Sequence, residues 1–123
     1  MLSRLPSMGV FGIDAYPVEV EVYLANATLP SMTIVGLPDT SIKESGDRVK
    51  AALKNSGFFL PPKAITVNLA PADRKKEGPV FELPIALGLL ETLDVFDNNL
   101  DGEYAVVGEL ALDGRVREVN GCL

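Results

Sequence analysis

The sequence predicts an α+β domain, a two-layer sandwich in which a mixed sheet carries its helices on one face. Three observations lead there. Val18, Val20, Val22 and Leu24 alternate with Glu19, Glu21 and Tyr23, and Ile65, Val67 and Leu69 alternate with Thr66 and Asn68. A period of two gives a strand one buried and one wet face, so helices can cover only one side of the sheet. Two other stretches carry helical spacing, and no strand shows the unbroken apolar run of a parallel sheet buried on both faces.

The elements follow in order. A strand is expected over residues 9–13, turning through Asp14 and Ala15 into the Glu/Val strand. Met32 and Ile34, set against Ser31 and Thr33, make a shorter one. Pro38, Asp39, Thr40 and Ser41 can open a helix, and Ser41 with Glu44 fits a capping box. Ile42, Val49, Ala52 and Leu53 share one face of that helix. Lys43, Glu44, Asp47, Arg48, Lys50 and Lys54 mostly lie elsewhere, and Gly57 suits its C-terminal stop. A second helix is expected after Glu82, with Leu83 and Pro84 in its first turn, where proline costs little. It runs through Ile85, Leu87, Leu89 and Leu90 to about Leu93 and is apolar nearly all round, so it is the more buried of the two. Near the C-terminus, Asp113-Gly114 between extended segments signals a hairpin with a type I′ turn. Residues 70–82 and the acidic residues 94–103 form the two longest loops.

Composition bounds the functions open to such a domain. The 123 residues hold 17 acidic and 11 basic side chains, one cysteine, no histidine and no tryptophan, with 47% apolar and 23% charged residues. That is ordinary globular composition and the length of one domain, spanning residues 1–123. No apolar run approaches the roughly 18 residues of a membrane span, and the start lacks the pattern of a signal peptide. The lone Cys122 excludes a disulfide framework, which together with the missing leader leads us to expect a cytoplasmic protein. Lack of histidine excludes a His-dependent triad or a His-ligated metal within the chain. Charge is unevenly placed: residues 1–38 carry −2, residues 39–79 carry +3 and residues 80–123 carry −7. Only the middle third can offer phosphates a basic surface, because affinity for a nucleic-acid backbone comes largely from Lys and Arg.

Within that third, Arg74, Lys75 and Lys76 lie on the loop that leads to the second helix. A helix N-terminus offers free N–H groups and the positive end of a dipole, so these three side chains could hold a phosphate or a DNA backbone beside it. The same charges also suit a loop that merely keeps the protein soluble. The chain contains no Gly-x-x-x-x-Gly-Lys-Ser/Thr loop, and Asp94, Asp97, Asp101 and Glu103 lack the spacing of an oxygen-ligand cage, so neither a nucleotide nor a metal site is expected. Cys122 has no activating base near it in sequence, so no nucleophilic role is expected of it.

Three blocks go further. The first is Val35-Gly36-Leu37-Pro38-Asp39 with Lys43-Glu44-Ser45 and Arg48-Val49. The second is Asn68-Leu69-Ala70-Pro71-Ala72-Asp73, Lys75-Lys76-Glu77-Gly78-Pro79 and Leu83-Pro84-Ile85-Ala86-Leu87-Gly88. The third is Val107-Gly108-Glu109-Leu110, Asp113-Gly114-Arg115-Val116 and Asn120-Gly121. Together, in order along nearly the whole chain, they resemble the N-terminal domain of the magnesium-chelatase-like AAA+ ATPases of the YifB/ComM type. The resemblance implies a ribosomal protein S5 domain 2-like fold, similar to the proteolytic domain of Lon. It also implies a following AAA+ module that would bind ATP and Mg2+, assembly into a homo-oligomeric, hexameric ring, and work on DNA during natural transformation. It implies, further, that the chain stops at Leu123 short of its closing segment.

Lon-type proteases use a Ser–Lys dyad, with the serine directly after Gly-Pro at the start of a helix. In this sequence Gly78-Pro79 is followed by Val80, and the position matching the lysine, two residues beyond Gly121, is Leu123. Both halves of the dyad are thus replaced by apolar residues. The resemblance therefore implies a non-catalytic accessory domain, with a Lon-like peptidase using a relocated site and a pure oligomerisation platform as the alternatives.

Overall fold

The computed structural model describes residues 2–11, 14–71, 76, 79–96 and 104–117. The chain runs through strands β1 (Leu2–Phe11), β2 (Asp14–Asn26) and β3 (Ser31–Val35), helix α1 (Asp39–Asn55) and strand β4 (Lys63–Ala70). A single 3-10 turn (Pro79–Phe81) then leads into helix α2 (Glu82–Thr92), followed by the two-residue strands β5 (Glu109–Leu110) and β6 (Val116–Arg117). Four strands form one mixed sheet in the order β1-β2-β4-β3. β1–β2 and β2–β4 pair antiparallel, and β3 lies parallel to β4 across the α1 crossover. The α+β two-layer sandwich is the architecture that the alternating strands predict.

Register explains the layers. Tyr16, Val18, Val20, Val22 and Leu24 of β2 and Ile65, Val67 and Leu69 of β4 are all buried, and they meet Val49, Ala52 and Leu53 of α1 and Ile85, Ala86 and Leu89 of α2. The residues between them, such as Glu19, Tyr23 and Thr66, face solvent on the other side of the sheet. α2 is buried at eight of its eleven positions, as its nearly all-apolar sequence requires. It also sits close to the sheet. A Cβ on Gly88 would lie 2.6 Å from Val22 Cγ2, so a larger residue would force the helix away from β2. β1 buries Ser3, Leu5 and Ser7, and Ser3 Oγ donates to the Glu91 carboxylate of α2.

Both helices end alike. The N–H of Phe58 bonds to Leu53 O and that of Gly57 to Lys54 O, a Schellman motif with Gly57 at φ +90°. At the end of α2, Val95 N–H bonds to Leu90 O and Asp94 N–H to Glu91 O, with Asp94 taking the left-handed position at φ 60°.

Several expectations need correction. β1 begins at Leu2, well before residue 9; its buried residues include serines, so the apolar alternation that marks β2 is missing there. The capping box on Ser41 is absent: α1 starts at Asp39 behind Pro38, no side chain caps it, and Ser41 N–H bonds to Pro38 O. The hairpin turn is not type I′, which needs positive φ at both Asp113 and Gly114. Only Gly114 is positive, at +96°, and the Gly114 N–H bonds to Ala111 O while Ala111 N–H bonds to Arg115 O. That is a tight turn closed by a left-handed glycine, which lets Asp113 keep ordinary backbone angles and accept from Arg115 N–H at 3.0 Å.

Candidate functional site

Ser45 and Arg48 on α1 meet Glu82 at the start of α2. Glu82 is wholly buried. Its Oε2 accepts from Ser45 Oγ at 3.0 Å and from Arg48 Nε and Nη2, each at 2.7 Å; its Oε1 accepts the Leu110 N–H at 3.1 Å. The four donors come from α1 and β5, so one carboxylate ties both helices to the C-terminal hairpin. The bonds to Glu82 raise the Arg48 guanidinium further above its already high range, with burial opposing. Both carboxylate oxygens are therefore engaged by protein donors. The cluster links α1, α2 and β5 through one carboxylate.

Sequence reasoning passes over these three residues, although each left a trace. Ser45 completes the stripe Ile42, Val49, Ala52 and Leu53, and a polar residue inside a buried stripe must find a partner. Arg48 borders the same stripe, with its side chain 29% exposed. Glu82 immediately precedes a helix that is buried on nearly every side.

The residues singled out from sequence fall differently. Val80 lies in the 3-10 turn, half-buried and packed against the core, and its carbonyl accepts the Gly108 N–H at 2.9 Å. Leu123 lies outside the described residues, as do Arg74 and Lys75. Lys76 is 1% exposed, and its ammonium donates to the Pro71 carbonyl. It is turned into the protein and does not share an open basic surface. A long aliphatic stem makes this possible, because lysine can bury its methylenes while its head finds an acceptor.

The open face of the sheet carries a smaller network. Glu21 accepts from Asn68 Nδ2 at 3.0 Å and from Arg4 Nε at 3.2 Å, and these bonds hold its carboxyl below the usual range. A groove of about 570 Å³ runs over this end of β1 and β2, past Pro71 and Tyr104. Among the described residues no group of three or more Cys, Asp or Glu is placed to hold a metal ion, and no helix is long and apolar enough to cross a membrane.

Residues 18–123 match the family model for subunit ChlI of magnesium chelatase. The chain belongs to that family. This ChlI-family chain is 47% identical, over 122 residues and 99% of its length, to an Escherichia coli protein described as uncharacterized protein YifB. It is equally identical, over the same share, to the competence protein ComM of Haemophilus influenzae. An uncharacterized protein of Mycobacterium tuberculosis is 39% identical over 122 residues. Within the ChlI family the chain is therefore of the YifB/ComM type. It spans 24% of the length of each of these relatives.

Proposed function

We propose that this domain is a non-catalytic accessory module of a magnesium-chelatase-like AAA+ ATPase that processes DNA in natural transformation. The observation that carries the reading is at the head of α2. By the resemblance, Val80 takes the position of a Lon-type nucleophile; its carbonyl accepts from Gly108, and the neighbouring Glu82 carboxylate accepts from Ser45, Arg48 and Leu110. The kinship to a competence protein supports the DNA-processing part. ATP and Mg2+ would be handled by a separate module, since these 123 residues contain no phosphate-binding loop. The domain's own contribution is to bind its neighbours in a homo-oligomeric ring and to guide DNA past Arg74 and Lys75 in the cytoplasm.

The experiment is DNA binding by the intact ATPase carrying Arg74→Ala and Lys75→Ala together. Lys76 is left alone because removing a buried side chain would confound the result. Each lost phosphate contact lowers the slope of log affinity against log salt by about 1, so the double variant should lose affinity and about two units of slope. Unchanged affinity and slope would remove the DNA-guiding role and leave an oligomerisation platform. ATP-dependent cleavage of casein would instead establish a relocated peptidase site.

A further inference from the structure

One stretch of chain, residues 106–112, ties both layers of the domain together, and it does so at every second residue. Val106 N–H donates to Pro6 O of β1 at 2.8 Å, and Ser7 Oγ donates to Val106 O at 2.7 Å. Gly108 N–H donates to Val80 O at 2.9 Å, and its carbonyl accepts from Leu83 N–H at 3.0 Å. Leu110 N–H donates to Glu82 Oε1 at 3.1 Å, and Leu112 O accepts from Asn55 Nδ2 of α1 at 2.7 Å. Such alternation is how an extended chain meets the edge of a sheet. Here the edge is assembled from separate pieces, β1, the 3-10 turn, α2 and α1. Three of its groups, from Ser7, Glu82 and Asn55, are side chains standing in for main chain.

The same stretch contributes little to the core. Of residues 104–117 only Gly108, Leu110 and Ala111 are buried, whereas β2 and β4 bury a continuous row of apolar side chains. It also has bonds of its own that do not depend on the rest of the domain. Ala111 N–H bonds to Arg115 O, Gly114 N–H to Ala111 O, and β5 pairs with β6. Gly108 joins the two halves: a Cβ there would lie 2.9 Å from Leu83 Cβ and 3.1 Å from Val116 Cγ1, so β6 packs directly on its backbone. An element with few buried apolar groups, held by single hydrogen bonds, opens at a lower cost than the whole fold.

We infer that residues 106–117 form a strap that docks and releases as one unit while the sheet and the helices stay folded. Its ties restrain one short chain, so losing any of them raises the release of the whole. Ser7 holds one end and Asn55 the other, with Val80, Leu83 and Glu82 between them. The strap therefore couples the β1 edge, the head of α2 and the end of α1: a contact that loosens one of these sites loosens the others.

The test is native-state hydrogen exchange of the intact protein, resolved by residue, at rising urea concentrations below the unfolding transition. The Val106, Gly108 and Leu110 amides should share one opening, faster and less dependent on urea than that of Val20, Val22 and Val67 in the sheet. Asn55→Ala removes the tie at one end and Ser7→Ala the tie at the other, and each lost bond should favour release about two- to tenfold. Either variant should speed exchange of all three amides by the same factor, including the amide at the far end. A response confined to the near end overturns the proposal, since it would mean that the ties break independently. Exchange of the three amides with the rate and urea dependence of the sheet overturns it too, since the strap would then open only when the whole domain unfolds.

Discussion

Replacing Arg48 by Met removes the guanidinium but keeps most of the volume of its stem. Glu82 would then be a wholly buried carboxylate with only Ser45 Oγ and the Leu110 N–H as partners. Breaking a buried pair from one side costs about 3–5 kcal/mol, because the remaining charge is left uncompensated. The Arg48 side chain is 29% exposed, so water can reach part of the vacated space, and about 2–4 kcal/mol is the appropriate expectation. The reverse change, Glu82→Met, should cost less. The orphaned guanidinium can turn towards solvent, and the main loss is the acceptor for the buried Leu110 N–H, about 1–3 kcal/mol. With both replaced, neither charge remains and the cost is that of the Leu110 N–H and the buried Ser45 hydroxyl losing their acceptor, so the double variant should be more stable than Arg48→Met alone. Urea denaturation followed by circular dichroism would read this order directly. With a slope of about 1–3 kcal/mol per molar urea, the midpoint of Arg48→Met should fall by about 1–3 M. If Arg48→Met unfolds at the wild-type midpoint, or the double variant is less stable than Arg48→Met, the cluster does not tie the helices to the hairpin as described.

Three further outcomes are expected. Gly88→Ala should gain about 1 kcal/mol of helix propensity but lose about 1–3 kcal/mol to the clash with Val22, so its melting temperature should fall, and Val22→Ala should relieve part of the loss in a double-mutant cycle. Asp94→Gly should raise the melting temperature, by roughly 0.5–1 kcal/mol of stability, since glycine accepts the left-handed position that ends α2 without steric cost. Asn68→Ala removes the bond that most lowers the Glu21 carboxyl, whose ordinary value is 4.5. A depressed carboxyl contributes stability above its unfolded value and loses it as pH falls through the folded one, so wild type and variant should differ at neutral pH and converge in acid. An NMR titration of Glu21 should show its midpoint rising in the variant.

Much of the architecture can be read from side-chain spacing. β2 and β4 announce themselves because each has one face against helices and one against water, α1 because its apolar stripe and its Gly57 stop agree, and α2 because it is apolar nearly all round. β1 stays hidden over its first half because Ser3 and Ser7 are buried, Ser3 against Glu91 of α2 and Ser7 against the Val106 carbonyl, and a hydroxyl in a sequence gives no sign of burial. The turn at Asp113-Gly114 shows a similar limit, since Asp-Gly is compatible with more than one tight turn and the partner bonds at Ala111 choose between them. The Ser45–Arg48–Glu82 cluster could not be assembled from spacing at all. Its members lie 34 and 37 residues apart, and their meeting depends on how two helices cross. Lys76 carries the same lesson for charge: a basic residue in a polar loop reads as solvent-facing until the acceptor that draws it inward is in view.

The covering of β1 by Val106 also sets a timetable. Ser7 and Val106 are 99 residues apart, and ribosomes add about 5–20 residues each second, so β1 waits roughly 5–20 seconds after its synthesis for the segment that closes its edge. β2 follows β1 within a few residues and can zip against it at once, which covers one side only. During that interval the nascent chain displays a strand edge to every other polypeptide in its vicinity. Pro6, which has no N–H to offer a neighbouring strand, makes that edge less attractive until its own chain arrives.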